Sequence, residues 1–256
     1  MKSLLKWAGV VVWISFVING CSGNSDNGGN NVRFTESLVK EKVVYSYEND
    51  RSGAALDLKS VSGTTGVVRR TTFTKDHHVL IEEDPSSRQA RNCTPVWEVK
   101  NGVLIVDGCG IDTRYELLNS DPKGWLVMDL NTSTQQEWYI QQKFTVDTLE
   151  EKTIYQSSKD PDKRYEIYYG WIDGSTIKGE FYLLDSNGDV NKTLNFNINE
   201  NGGFEVLNEN LEEEATFYLI GESEKNGAQY LDIWGEKTQQ TSDILEGADR
   251  WIGTKK

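Results

Sequence analysis

Apolar and polar positions alternate along this chain in short runs and do not recur at helical spacing. Residues 43–47, 67–73, 78–82, 103–106, 114–118 and 125–130 are rich in β-branched and aromatic side chains and are separated by Gly, Asn, Asp or Pro. The pattern returns at 165–171, 176–184, 194–198, 204–207, 216–220 and 230–234. Strands spaced by about 8 to 12 residues predict an all-β fold of sandwich or barrel type. The helical signals are few: Thr35 and Thr145 could each N-cap a single turn carrying Leu38 and Leu149, placed to plug a barrel end.

The pattern is also duplicated. Phe34, Thr35, Glu41, Lys42 and Tyr45 match Phe144, Thr145, Glu151, Lys152 and Tyr155 at an offset of 110. Further on, the run from Val96 through Asn101-Gly102 matches Phe196-Asn197-Ile198 and Asn201-Gly202. Residues 115–118 match 217–220, and Glu137-Trp138-Tyr139-Ile140 matches Asp249-Arg250-Trp251-Ile252. Landmarks kept in one order define two copies, 34–143 and 144–256.

The N-terminus reads differently. Lys2 and Lys6 precede an apolar run from Trp7 to Ile18, the order of a secretory signal, and the run is shorter than the roughly 20 residues a bilayer-spanning helix needs. It ends in Ile18-Asn19-Gly20-Cys21, which resembles the bacterial lipobox. That resemblance implies cleavage after residue 20, a lipid on Cys21 and, with Ser22 next, sorting to the outer membrane. Residues 22–31 carry no apolar side chain to bury, so the linker through 33 is expected to be a flexible tether reaching on the order of 20 Å.

With Cys21 committed to lipid, Cys93 and Cys109 remain as an even pair in an oxidising compartment and predict a disulfide. Between them an Asn101-Gly102 signal predicts a hairpin. Read as a three-residue loop, Lys100-Asn101-Gly102 sets Val99 opposite Val103, Trp97 opposite Ile105 and Cys93 opposite Cys109.

The unit opening on Phe-Thr, turning through Trp97-Glu98-Val99-Lys100-Asn101-Gly102 and closing on a Trp resembles the lipocalin-like repeats of Gram-negative exported proteins. The resemblance covers residues 34–256 and implies two tandem antiparallel up-and-down β-barrels. The second copy departs from the first in lacking the cysteines and in replacing Trp97 by an Asn or Phe, so its core is expected to pack differently.

The net charge of −13 excludes nucleic acid as a partner. The charge is uneven, with 17 acidic against 14 basic side chains in 22–143 and 23 against 11 in 144–256. No catalytic constellation, metal set or cofactor motif emerges. Asp185-Ser186-Asn187-Gly188-Asp189 has the alternating oxygens of a calcium loop, but Val190 and Phe196 stand where such a loop needs Gly and Glu, so a hairpin turn is the better reading. His77 and His78 would point to opposite faces of a strand. The runs Glu82-Glu83-Asp84 and Glu212-Glu213-Glu214 read as solvated surface. Most tryptophans read as core, but Trp125 and Trp171 follow glycines and are expected to be exposed, able to contact a sugar or an apolar ligand.

These readings predict a non-enzymatic binding or interaction module held to the membrane through its lipid. Its partner would be a protein, a glycan or a small apolar ligand. The alternatives are a carrier with the ligand inside a barrel and an uncharacterised envelope enzyme. Interior volume separates the first alternative from the rest, because barrels filled by Trp, Phe, Tyr and Ile leave no room for a ligand.

Overall fold

A computed structural model of the chain describes residues 32–48, 67–84, 93–149, 153–173, 176–239 and 244–255. The signal peptide, Cys21 and the tether up to residue 31 lie outside the described residues, as do Glu151 and Lys152 of the repeat.

The chain is all-β, and its strands form two antiparallel eight-stranded sheets. The first contains β1 (Val43–Glu48), β2 (Val67–Phe73), β3 (Val79–Asp84), β4 (Val96–Lys100), β5 (Val103–Gly108), β6 (Ile111–Asp121), β7 (Gly124–Asp129) and β8 (Thr134–Ile140). The second contains β9 (Thr153–Ser157), β10 (Arg164–Asp173), β11 (Thr176–Leu184), β12 (Val190–Ile198), β13 (Phe204–Leu207), β14 (Glu213–Lys225), β15 (Ala228–Lys237) and β16 (Gly247–Lys255). Both run up and down in sequence order, with the last strand returning to the first: β8 pairs β1, and β16 pairs β9. The second sheet is thereby a closed barrel. In the first, edge strands β3 and β4 meet, among the described residues, at a bridge between His78 and Val96, flanked by hydrogen bonds from Val79 N to the Pro95 carbonyl and from Trp97 N to the His77 carbonyl.

Each copy opens the same way. Helix α1 (Glu36–Val39) is capped by Thr35, whose hydroxyl accepts from Leu38 N, and Thr145 accepts from Thr148 N in the matching turn. Leu149 and Val39 are fully buried, so each turn plugs one end of its sheet. Phe34 N donates to the Gly102 carbonyl and Phe144 N to that of Gly202, which ties both opening segments to equivalent hairpin turns. Even the irregularities recur, with bulges between Leu117 and Asn119 and between Leu219 and Gly221.

Two details of register differ from expectation. The hairpin at Asn101-Gly102 has a two-residue loop with both residues at positive φ (53° and 83°), so Val99 pairs with Leu104 and Trp97 with Val106. Such a loop matches the right-handed strand twist, and the one-residue slip turns Leu104 and Val106 inward, where Trp97 also points. The Cys93–Cys109 disulfide forms all the same, with a Cα–Cα distance of 5.6 Å. Cys93 precedes β4 and Cys109 occupies the next tight turn, at φ 60°, so ladder register does not constrain the bond. The second difference concerns the repeat. Tyr155 lies in the barrel interior, whereas Tyr45 faces outward into a separate cluster with Val68, Ile220, Trp234 and Ala248. The structural match is instead an inward serine opposite the closing tryptophan, Ser46 with Trp138 and Ser157 with Trp251. Both terminal strands are therefore shifted by one residue from the sequence alignment.

That outward cluster joins the two sheets. Tyr45 packs on Trp234 at 6.0 Å between ring centroids, and the Arg70 guanidinium lies 4.8 Å over the Tyr218 ring while pairing with Glu82 and Glu236. Asp84 accepts from Ala248 N at 2.7 Å and pairs with Lys159 at 2.9 Å. Beneath this contact Arg250 and Asp232 form a buried two-point ion pair on the barrel's outer face, at 2.6 and 3.1 Å. Residues 32–256 form one compact unit.

Candidate ligand cavity

The two interiors are filled very differently. In the barrel, Trp251 contacts the rings of Tyr155, Tyr165, Phe181 and Phe217, and Phe204 stacks on Phe196 at 4.8 Å. In the first sheet the interior ends in a cavity of about 300 Å³ at the end opposite α1. Register explains where the space comes from. Two residues before the inward serine, the barrel sets Tyr155 against Tyr165, while the first sheet sets Val44 against Thr71. Two aromatic rings are thus replaced by two small β-branched side chains, and interiors packed to crystal-like density leave a void when that much volume is missing.

The cavity floor is aromatic and aliphatic, from Phe73, Ile81, Val106, Tyr115 and Trp138. Trp138 is held from three sides: Tyr115 meets it edge-on at 4.7 Å, Phe73 stacks at 6.2 Å, and its indole N–H donates to Gln136 Oε1 at 3.1 Å. Toward the mouth the lining turns polar, through Ser46, Thr71, Thr113 and Gln136. Arg69 also lines it, and both Arg69 Nε and an Arg69 terminal nitrogen donate to Glu83 Oε1, at 3.0 and 2.8 Å. The pair is directly cross-strand, Arg69 on β2 opposite Glu83 on β3, on the same face as the inward Thr71–Ile81 and Phe73–Val79 pairs. Its side chains are 29% and 19% exposed, so it sits partly withdrawn from solvent at the cavity mouth. An apolar floor with a few convergent polar groups is the usual build of a small-molecule site.

The residues singled out in the sequence fall as follows. Trp125 is not exposed: it is 2% accessible, with its ring edge-on to Phe34 at 5.5 Å, because β7 alternates and Trp125 shares the inward face with Val127. Trp171 lies on β10 opposite Lys178, and its side chain is outside the described residues. Cys93 and Cys109 are bonded to each other, one residue from the cavity-lining Gly110. The Asp185 loop is the β11–β12 turn, its carboxylate accepting from Asp189 N and Asn187 N, and those bonds hold its pKa below the usual carboxylate value. His77 stacks on Trp97 at 4.5 Å, away from the cavity lining.

The acidic runs are a correction in part: Glu82 and Glu212 are exposed, as read from the sequence, but their neighbours are drawn inward. Glu82, Glu83 and Asp84 alternate between the sheet–sheet contact and the interior, each with a cationic partner, and Glu214 is buried against Lys192 at 3.0 Å. The signal for the Arg69–Glu83 pair is present in the sequence as Arg69-Arg70 followed, across one hairpin, by Glu82-Glu83. Among the described residues no group of three or more His, Cys, Asp or Glu is placed to hold a metal ion. No protein-family model, curated protein or solved structure matches the chain.

Proposed function

We propose that this chain is a non-enzymatic, membrane-anchored binding module of the bacterial envelope, in which the first sheet takes a small amphipathic ligand and the second barrel is a solid support. The observation that carries the reading is the contrast of interiors, a cavity of about 300 Å³ over Trp138 in one and a continuous aromatic core in the other. The up-and-down topology agrees with the lipocalin-like resemblance, and the lipobox-like Ile18–Cys21 segment supplies the anchor and the outer-membrane address. A cavity of this size is at the small end of ligand pockets, so the ligand is a medium chain or a single ring and not a whole phospholipid.

The test is titration with a fluorescent fatty-acid analogue. Saturable binding is expected in the wild type and in a variant with Tyr165→Phe in the barrel, and is expected to be lost in Thr71→Tyr. Binding that survives Thr71→Tyr, or none in any form, overturns the reading. For the anchor, metabolic labelling with a clickable palmitate should mark the wild type and not Cys21→Ser; equal labelling of both removes that part.

A further inference from the structure

Resting on the binding reading above, we infer that Gln136 selects the ligand's head group: its side-chain amide, oriented by the indole of Trp138, presents N–H donors to the cavity and favours an acyl oxygen, as in a carboxylate or an ester, over an ammonium. Gln136 lies on β8 two residues before Trp138, so both share the inward face, and both line the cavity. Its cross-strand partner is Val127 on β7, fully buried on that face. Gln136 itself is half-buried.

The direction of the amide follows from hydrogen-bond chemistry. An indole N–H donates and never accepts, so the atom that meets Trp138 Nε1 at 3.1 Å is the Gln136 side-chain oxygen. Tyr115, edge-on at 4.7 Å, and Phe73, stacked at 6.2 Å, hold the indole in that position. The amide nitrogen is left on the side away from the indole, and among the described residues no acceptor takes its two N–H groups. The hydroxyls of Ser46, Thr71 and Thr113 rotate, and serve as donor or acceptor as a ligand requires. Gln136 is thus the neutral group of the mouth whose role is fixed in advance, and Arg69 beside it is a donor too. Asp112 is the acceptor in the lining, but its carboxylate is exposed and faces Arg114 at 3.9 Å. An acyl oxygen entering over Trp138 meets donors. An ammonium, which only donates, leaves the Gln136 N–H groups unanswered, and a site built around a directed polar group rejects the head that cannot pair with it. The barrel carries the opposite polarity at the same place: Asp249, two residues before Trp251 on β16, turns an acceptor inward, Oδ2, that has no hydrogen-bond partner.

The experiment displaces the fluorescent fatty-acid analogue from the full chain with decanoate, methyl decanoate and decylammonium. In the wild type both acyl probes are expected to compete at least about tenfold more tightly than decylammonium. The ester carries no charge, so its advantage separates Gln136 from any attraction between an anion and Arg69. Gln136→Glu keeps one oxygen for the indole and sets a second where the N–H groups stood, and should bring decylammonium level with the ester or above it. Trp138→Phe keeps an aromatic floor and the net charge but frees the amide to turn, and should narrow the preference by about threefold or more. Gln136→Met removes the amide at similar length, and should do the same if either of the other variants folds poorly. Decylammonium binding the wild type as tightly as the ester overturns the selection, and a preference unchanged in the variants overturns the role of Gln136; in both cases displacement of the analogue leaves the cavity reading intact. Failure of the analogue to bind the wild type at all overturns both.

Discussion

The first sheet and the barrel share strand order, opening turns, an Asn-Gly hairpin at the same place in the chain order and a bulge at the same place in the sixth strand, yet a cavity of about 300 Å³ opens in the first while aromatic rings fill the described core of the second. The difference is carried by a few inward positions. Val44, Thr71 and Leu104 in the first sheet stand where the barrel has Tyr155, Tyr165 and Phe204, on strands paired the same way. A backbone that recurs under such different fillings is a scaffold whose topology does not depend on any one core residue, as expected where patterning decides fold and volume decides packing. Ion pairs occur in both, two arginine–glutamate pairs between β2 and β3 and Arg250–Asp232 on the barrel, but the first sheet alone carries a disulfide, beside the cavity. The barrel has no cysteine and relies on its aromatic core.

The comparison can be broken at several points. The largest effect is expected from Trp251→Ala, which removes the ring around which the barrel core is assembled and should cost about 3–5 kcal/mol in urea unfolding. Trp138→Ala, at the matching position, opens into existing space and should cost about 1 kcal/mol or more less than Trp251→Ala. Equal losses would mean that the two interiors are packed alike in solution. Next, reducing the Cys93–Cys109 bond, or replacing both by Ser, closes no loop in the unfolded chain and should cost roughly 3 kcal/mol. Amide exchange should then accelerate in β4 to β6 and stay unchanged in the barrel; uniform acceleration would show that the two sheets unfold as one.

A smaller effect concerns acidity. Asp249 is buried inside the barrel, and its Oδ2 has no hydrogen-bond partner. Burial raises its pKa above the ordinary carboxylate value, despite the hydrogen bonds its other oxygen accepts from Lys159 N and Arg250 N. A carboxyl whose folded pKa lies above its unfolded value contributes stability that is complete below the unfolded value and lost as pH rises through the folded one. Asp249→Asn should therefore be more stable than the wild type at neutral pH and lose that advantage on acidification, read as the difference in Tm between the two. An advantage independent of pH would assign the effect to packing. The smallest change in stability, within about 1 kcal/mol, is expected for Thr71→Tyr, which fills the cavity with the side chain the barrel already carries. Its effect on probe binding should be complete.

Much of this arrangement is legible in the residues. Alternation marks nearly every strand, because a sheet with one face buried imposes period two on the sequence. Thr35 and Thr145 mark the openings of the repeats and the two Asn-Gly signals a hairpin within each, because caps and tight turns act through local backbone geometry. Register is less legible. Tyr45 and Tyr155 match by letter and point opposite ways, since a slip of one residue leaves composition unchanged and reverses every face. Trp125 is a related case: the glycine beside it suggests a turn, while the ladder from β6 to β8 turns it inward. The Arg69–Glu83 pair is hidden because a run of acids looks like surface until a partner strand shows which of them face in.

The sequence by itself determined an all-β chain of two repeated units and the pairing of two cysteines, both of which follow from local pattern and composition. Tertiary structure alone decided where a cavity opens in the first sheet, which arginine is met by which glutamate, and that the repeats join through Tyr45, Arg70 and Trp234. The physical reason is that volume and charge balance are sums over residues far apart in the chain. Arg69, Thr71 and Trp138 acquire their meaning only when strands distant in sequence set them around one cavity.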